Sequence, residues 1–153
     1  TTDLTVTNCT ITGDRQALFA RGGTVKISDT DLITTGKFNP TKTYFDTNWG
    51  SGNEAPYAAL VVGNRSNAGV YDYDVTVSID AASSIKIQDN SNGAFDVYVS
   101  SCNSGRTTTF ISPTFAESVI NSENNPLHYY EGEGSTLIIK ESEAGENLVP
   151  QTE

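Results

Sequence analysis

The chain has 153 residues, of which 36% are hydrophobic and only 18% charged, a length that encloses one core and a composition that suits short strands joined by polar turns. With 19 acidic against 9 basic residues the formal net charge is -10, which excludes a nucleic-acid backbone as partner, because phosphate binding needs concentrated positive charge, and disfavours anionic membranes. No run is apolar enough for a membrane-spanning helix, so direct membrane insertion is not expected, and the opening TTDLTVTN reads as the middle of a repetitive region in a mature or excised chain.

The first predicted strand alternates strictly from Leu4 through Val6 to Asn8 and continues to Ile11. Sliding the sequence by 21 residues lays Leu4 on Val25, Val6 on Ile27, Asn8 on Asp29 and Ile11 on Leu32, each match within its residue class. A period of this size is expected where each repeat carries several short strands. Between the two lies Ala17–Ala20, an apolar strand meeting the Gly22-Gly23 corner before Val25. Residues 37–56 break the period and read as a loop excursion rich in aromatics. These aromatics either fold back over the sheet or present a sugar-stacking or protein-binding surface.

The pattern returns at Tyr57–Asn64, at Val75-Thr-Val77-Ser-Ile79-Asp80, at Ile85-Lys-Ile87-Gln-Asp89 and at Ala94–Val99. Asn103–Thr109 reads as a turn or small excursion, and Thr114–Ser122 is the weak helix candidate, with poor apolar spacing. Leu127–Thr136 repeats the strand–glycine–strand unit of Ala17–Thr24, and Leu137–Glu141 closes the series. The predicted core is one column of Leu4, Val6, Val25, Ile27, Val75, Val77, Ile85, Ile87, Leu137 and Ile139, with Asn8, Asp29, Asp80 and Asp89 as turn residues. One domain is expected over 1–140, with 141–153 as an acidic flexible tail or linker. Cys9 and Cys102 are expected to lie several layers apart, as unpaired thiols acting as small buried fillers.

The phrases Leu4-Thr-Val6-Thr-Asn8-Cys9-Thr10-Ile11 and Gly23-Thr-Val25-Lys-Ile27-Ser-Asp29 resemble the right-handed parallel β-helix repeats of bacterial cell-surface proteins, the fold also used by pectin-degrading enzymes, phage tailspikes and adhesin-like passenger domains. The likeness covers roughly residues 3 to 34, 57 to 100 and 127 to 141. It implies an all-β solenoid of about five to six coils, with a β-sandwich as the alternative fold. The implied function is a secreted or cell-surface, non-enzymatic adhesin-like domain that recognises glycan or a host surface protein. A polysaccharide-active hydrolase or lyase of the same fold is the alternative. The Asp-Asp doublet, Gly-His-Gly and Arg-x-Lys patterns of the pectin-cleaving relatives do not occur here, which lowers the enzyme reading.

Asp72 and Asp74 form the sharpest carboxylate pair: two apart on an extended chain, they point the same way and would chelate calcium with carbonyls and water. Asp29 with Asp31 and Asp46 with Glu54 are weaker pairs. Tyr44, Trp49, Tyr71 and Tyr73 are the candidate ligand-binding aromatics, able to stack on sugar faces. His128 is the sole histidine and stands in Pro126-Leu-His-Tyr-Tyr130, where it reads as a half-buried strand residue rather than a triad member. Asn8-Cys-Thr10 and Asn64-Arg-Ser66 match the glycosylation sequon.

Overall fold

The computed structural model describes residues 2–35, 58–63, 73–89, 95–113 and 127–150. These form ten strands: β1 (Asp3–Gly13), β2 (Leu18–Ala20), β3 (Gly23–Thr34), β4 (Ala58–Gly63), β5 (Val75–Ile79), β6 (Ser84–Ile87), β7 (Phe95–Ser101), β8 (Thr107–Ile111), β9 (Leu127–Glu131) and β10 (Thr136–Lys140). No helix occurs among the described residues. The loop excursion expected at 37–56 and the weak helix candidate both lie outside them.

The strands divide into a six-stranded sheet, ordered β1-β3-β5-β8-β10 with β6 also on β3, and a four-stranded sheet, ordered β2-β4-β7-β9. Every pairing is parallel, whereas a β-sandwich of the ordinary kind is built from antiparallel sheets. The chain passes from one sheet to the other and back, so that β1, β3 and β5 share the larger sheet while β2 and β4 share the smaller.

The expected slide of 21 residues is the observed register: Leu4 pairs with Val25, Val6 with Ile27 and Ile11 with Leu32. What strand alternation did not reveal is the job of Asn8 and Asp29. Neither follows a strand; both sit inside one, at φ 52° and 46°. Asn and Asp tolerate this left-handed conformation better than most residues. One left-handed residue shifts the alternation by one place. In β3 the buried positions are Gly23, Val25 and Ile27 before Asp29, then Thr30, Leu32 and Thr34 after it. The next round makes the same bend with a longer linker. β5 pairs with the first half of β3 and β6 with the second, and Asp80–Ser83 spans the corner. Here the Asp80 carboxylate accepts from the backbone N–H of Asp29 at 3.2 Å and from the Ser83 hydroxyl at 2.7 Å.

Glycine marks the opposite corner, where the chain returns to the larger sheet. Gly23 opens β3, and Gly105 and Gly134 stand two residues before β8 and β10, all three at φ between 71° and 75°. At Gly23 a Cβ atom would run into the Thr2 carbonyl.

The core lies between the sheets, where Val25, Ile27, Val75, Val77, Phe110, Leu137 and Ile139 meet Ala20, Leu60, Val62, Val97, Val99 and Leu127. Six residues of the predicted column are thus buried. Leu4 is not: it is 44% exposed, and Val6, Ile85 and Ile87 are half-buried. The cause for Leu4 and Val6 is positional. Among the described residues β1 is an edge strand, so their inward side chains have a neighbouring strand on one side only. Cys9, expected as a buried filler, is exposed for the same reason, and Cys102 is half-buried; neither is joined in a disulfide.

Thr107–Thr109, expected at the end of a turn or small excursion, instead open β8, where a threonine in the inward slot hides the apolar period. Thr108 is fully buried between Val75 and Leu137, and among the described residues its hydroxyl has no hydrogen-bond partner.

The stretch 141–150, expected as part of a flexible tail, instead seals the outer edge of β10. The Asn147 carboxamide oxygen accepts from the Ile139 N–H at 3.0 Å, while its NH₂ group donates to the Leu137 carbonyl at 3.1 Å. The Leu148 N–H donates to the Ile139 carbonyl and the Glu131 carboxylate accepts from the Leu137 N–H, both at 2.7 Å. Val149 is buried beneath this strap. The acidic composition of the segment concealed a cap whose anchor is one asparagine.

Two stability changes follow. Asn147→Ala removes both hydrogen bonds to β10 and leaves a part-buried edge amide unpaired, so it should destabilise by about 2 kcal/mol. Thr108→Val replaces a buried hydroxyl by its apolar isostere and should stabilise by about 1 kcal/mol. Urea midpoints at constant slope measure both.

Candidate functional site

Four of the six predicted site residues, Tyr44, Trp49, Tyr71 and Asp72, lie outside the described residues. The remaining two, Tyr73 and Asp74, stand where the chain enters β5. The Asp74 carbonyl accepts from the Gly23 N–H at 2.9 Å, and its carboxylate accepts from the Thr107 N–H at 2.9 Å. Asp74 is therefore a strut joining the starts of three neighbouring strands of the larger sheet, β3, β5 and β8. One carboxylate oxygen is spent on this contact. Beside it, Tyr73 is 50% exposed. Its ring lies against the Cα face of Gly22, where an added Cβ would come within 3.3 Å of the tyrosine Cβ. A side chain at position 22 would lift the ring. Tyr73 is thus an exposed aromatic seated on a glycine at the entry to β5.

Of the weaker carboxylate pairs, Asp46 and Glu54 fall outside the described residues. Near the Asp80 corner, the Asp29 backbone N–H donates to the Asp80 carboxylate and the Asp31 carboxylate accepts from the Ser84 hydroxyl. The Asp80 carboxyl is held below its ordinary range, chiefly by the Ser83 hydroxyl. Among the described residues no group of three or more His, Cys, Asp or Glu is placed to hold a metal ion.

A second arrangement, missed in the sequence, occupies the face of the smaller sheet that points away from the core. Register aligns Phe19, Val61, Tyr98 and His128 across its four strands. Val61 and Tyr98 are fully buried and pack with Phe19, and the Tyr98 and His128 rings lie 5.6 Å apart at 34°. The Arg21 guanidinium sits 5.4 Å from the centre of the Phe19 ring. By strand alternation Asp96 shares the face of Tyr98. Burial raises its carboxyl above the ordinary value of 3.8, and burial lowers His128 below its ordinary 6.5. His128 is half-buried on a strand, as the sequence suggested. The overlooked signal was Asp96 itself, the single charge inside the apolar run Phe95–Val99. A half-buried acid and a half-buried imidazole on one face of this sheet are groups able to exchange hydrogen bonds with a neutral polar ligand.

No protein family, curated protein or solved structure matches this chain.

The pH dependence of stability reports on this second face. The folded state holds the Asp96 proton more tightly than the unfolded chain does. Its contribution is therefore complete below 3.8 and lost as pH rises through the higher folded value. Asp96→Asn should raise the urea midpoint near neutral pH and have less effect in acid. For His128 the sign is opposite. The folded state binds the proton more weakly, so stability falls as pH drops through 6.5 towards the lower folded value. His128→Gln should flatten that decline.

Proposed function

We propose that the chain is a right-handed parallel β-helix serving as a non-enzymatic structural and binding domain at a cell surface or in the extracellular space, with a glycan or a host surface protein as its partner. The observation that supports this most is the repeated passage of the chain between two wholly parallel sheets. Each return to the larger sheet is a parallel crossover, and such connections are right-handed in nearly all proteins. Stacked rounds of this sort give long, flat faces whose residues are set by register, which suits elongated partners. The braced Tyr73, 50% exposed, and Tyr130, 39% exposed, supply aromatic contact surface. The net charge of -10 favours neutral glycans or basic protein patches over polyanions.

The alternative, a polysaccharide-active enzyme of the same fold, draws on the desolvated Asp96 on the strand face of Tyr98, since carboxyls with raised proton affinity serve as general acids. A panel of neutral and acidic polysaccharides and host glycoproteins, assayed with and without calcium, separates the two. Binding without reducing-end release or unsaturated product is expected, and Tyr73→Ala should weaken it by about tenfold, the loss of one stacking contact of roughly 1 to 1.5 kcal/mol. Turnover abolished by D96N, D72N or D74N would instead establish the enzyme.

A further inference from the structure

The bend in the larger sheet recurs from round to round, and its side chain changes. Asn8 stands across the ladder from Asp29, between the pairs Thr7–Ser28 and Cys9–Thr30, and Asp80 holds the corner of the next round. Asn8 and Asp29 share nearly the same backbone angle, φ 52° and 46°. Aspartate therefore makes this bend as asparagine does, and the backbone alone does not call for a carboxamide. Where the fold does use a carboxamide, at Asn147, both ends of it are bonded to β10. At the bend the neighbours of Asn8 are engaged: the Thr7 hydroxyl lies 3.0 Å from that of Ser28, and the Cys9 thiol donates to the Thr7 carbonyl at 3.1 Å. Among the described residues no hydrogen bond engages the Asn8 carboxamide itself.

Thr10 supplies the second half of the pattern. The glycosylation sequon needs a hydroxyl two residues after the asparagine, with no proline between them. Cys9, across from buried Thr30, takes the inward slot, and Asn8 and Thr10 are both exposed. In the other rounds the residue two places beyond the aspartate is Asp31 or Ala82, so carboxamide and hydroxyl occur together at one of the three bends. This exposure does not depend on the sheet margin. Asp29 lies on β3, flanked by β1 on one side and by β5 and β6 on the other, and it is exposed too. So is Asp31, which pairs with Thr10 and Ser84. The bend itself turns these side chains to solvent.

We propose that Asn8 is an N-glycosylation site, whose Nδ2 takes an oligosaccharide from a lipid-linked oligosaccharide diphosphate as the chain is exported. The inference rests on the extracellular reading given above. Transfer forms a bond from Nδ2 to the anomeric carbon of the sugar and breaks that carbon's bond to the diphosphate. The lipid diphosphate leaves with the electron pair, and the amide proton passes to a base of the transferase. The modified side chain keeps its carbonyl and one N–H, so the left-handed backbone is undisturbed and the sugar projects from an exposed position.

Peptide mapping by mass spectrometry, on the whole chain from its own cells with interior, surface and medium collected separately, tests the site. The chain from the surface or medium should give its Asn8 peptide with an added oligosaccharide mass. Peptide N-glycosidase in heavy-oxygen water should remove that mass and leave a labelled aspartate. The second sequon, Asn64-Arg-Ser66, falls on a separate tryptic peptide. Asn8→Asp installs the residue this bend already accepts at Asp29, and Thr10→Ala keeps Asn8 while removing the hydroxyl. Each should abolish the added mass at this position with an unchanged far-UV spectrum. An added mass that persists in Thr10→Ala, or a bare Asn8 in chain recovered outside the cell, would overturn the site and leave the extracellular reading standing. Chain found bare and only inside the cell would overturn both.

Discussion

Much of the architecture depends on a backbone constraint, the left-handed residue in the middle of a parallel ladder. Asn8 and Asp29 stand next to each other across β1 and β3 with positive φ. At each the inward-facing parity changes, so that one continuous run of paired backbone lines the core along two directions. A strand keeps one face by strict alternation. Turning the face without breaking the ladder takes a residue that tolerates φ > 0 and can bond through its own side chain. Aspartate and asparagine meet both needs, and at the third round Asp80 meets the second by accepting from the Asp29 N–H.

Polar side chains do comparable work elsewhere. Asp74 ties the starts of three strands together, Glu131 and Asn147 complete the outer amides of β10, and Ser83 fixes Asp80 at its corner. This use of acids explains why a chain so rich in carboxylates shows them as struts and caps in the described residues rather than gathered in one cleft. Parallel in-register strands repeat each backbone requirement one strand further on, so acceptors are needed at recurrent positions.

The chemistry is divided by sheet. On the larger sheet the exposed feature is Tyr73 on its glycine seat. On the smaller sheet both faces of β4 are buried, and it is there that the raised Asp96 carboxyl and the lowered His128 imidazole occur. Perturbed titratable groups on this aromatic-bearing face mark where chemistry concentrates among the described residues.

From the sequence alone came the strand class, the register of 21 residues, the glycine corners and most of the core, because each rests on side-chain periodicity or on a backbone angle that few residues accept. Sequence could not show which strand would be the edge, and so Leu4, Val6 and Cys9 were assigned to the interior: their alternation is the same as that of Val25 and Ile27, and only neighbours decide burial. It passed over β8, since threonine at an inward slot hides the period, and Asp96, whose raised carboxyl depends on what surrounds it. The cap at β10 was equally hidden. Asn147 acquires its role from the unpaired amides of a strand that only the folded chain brings beside it.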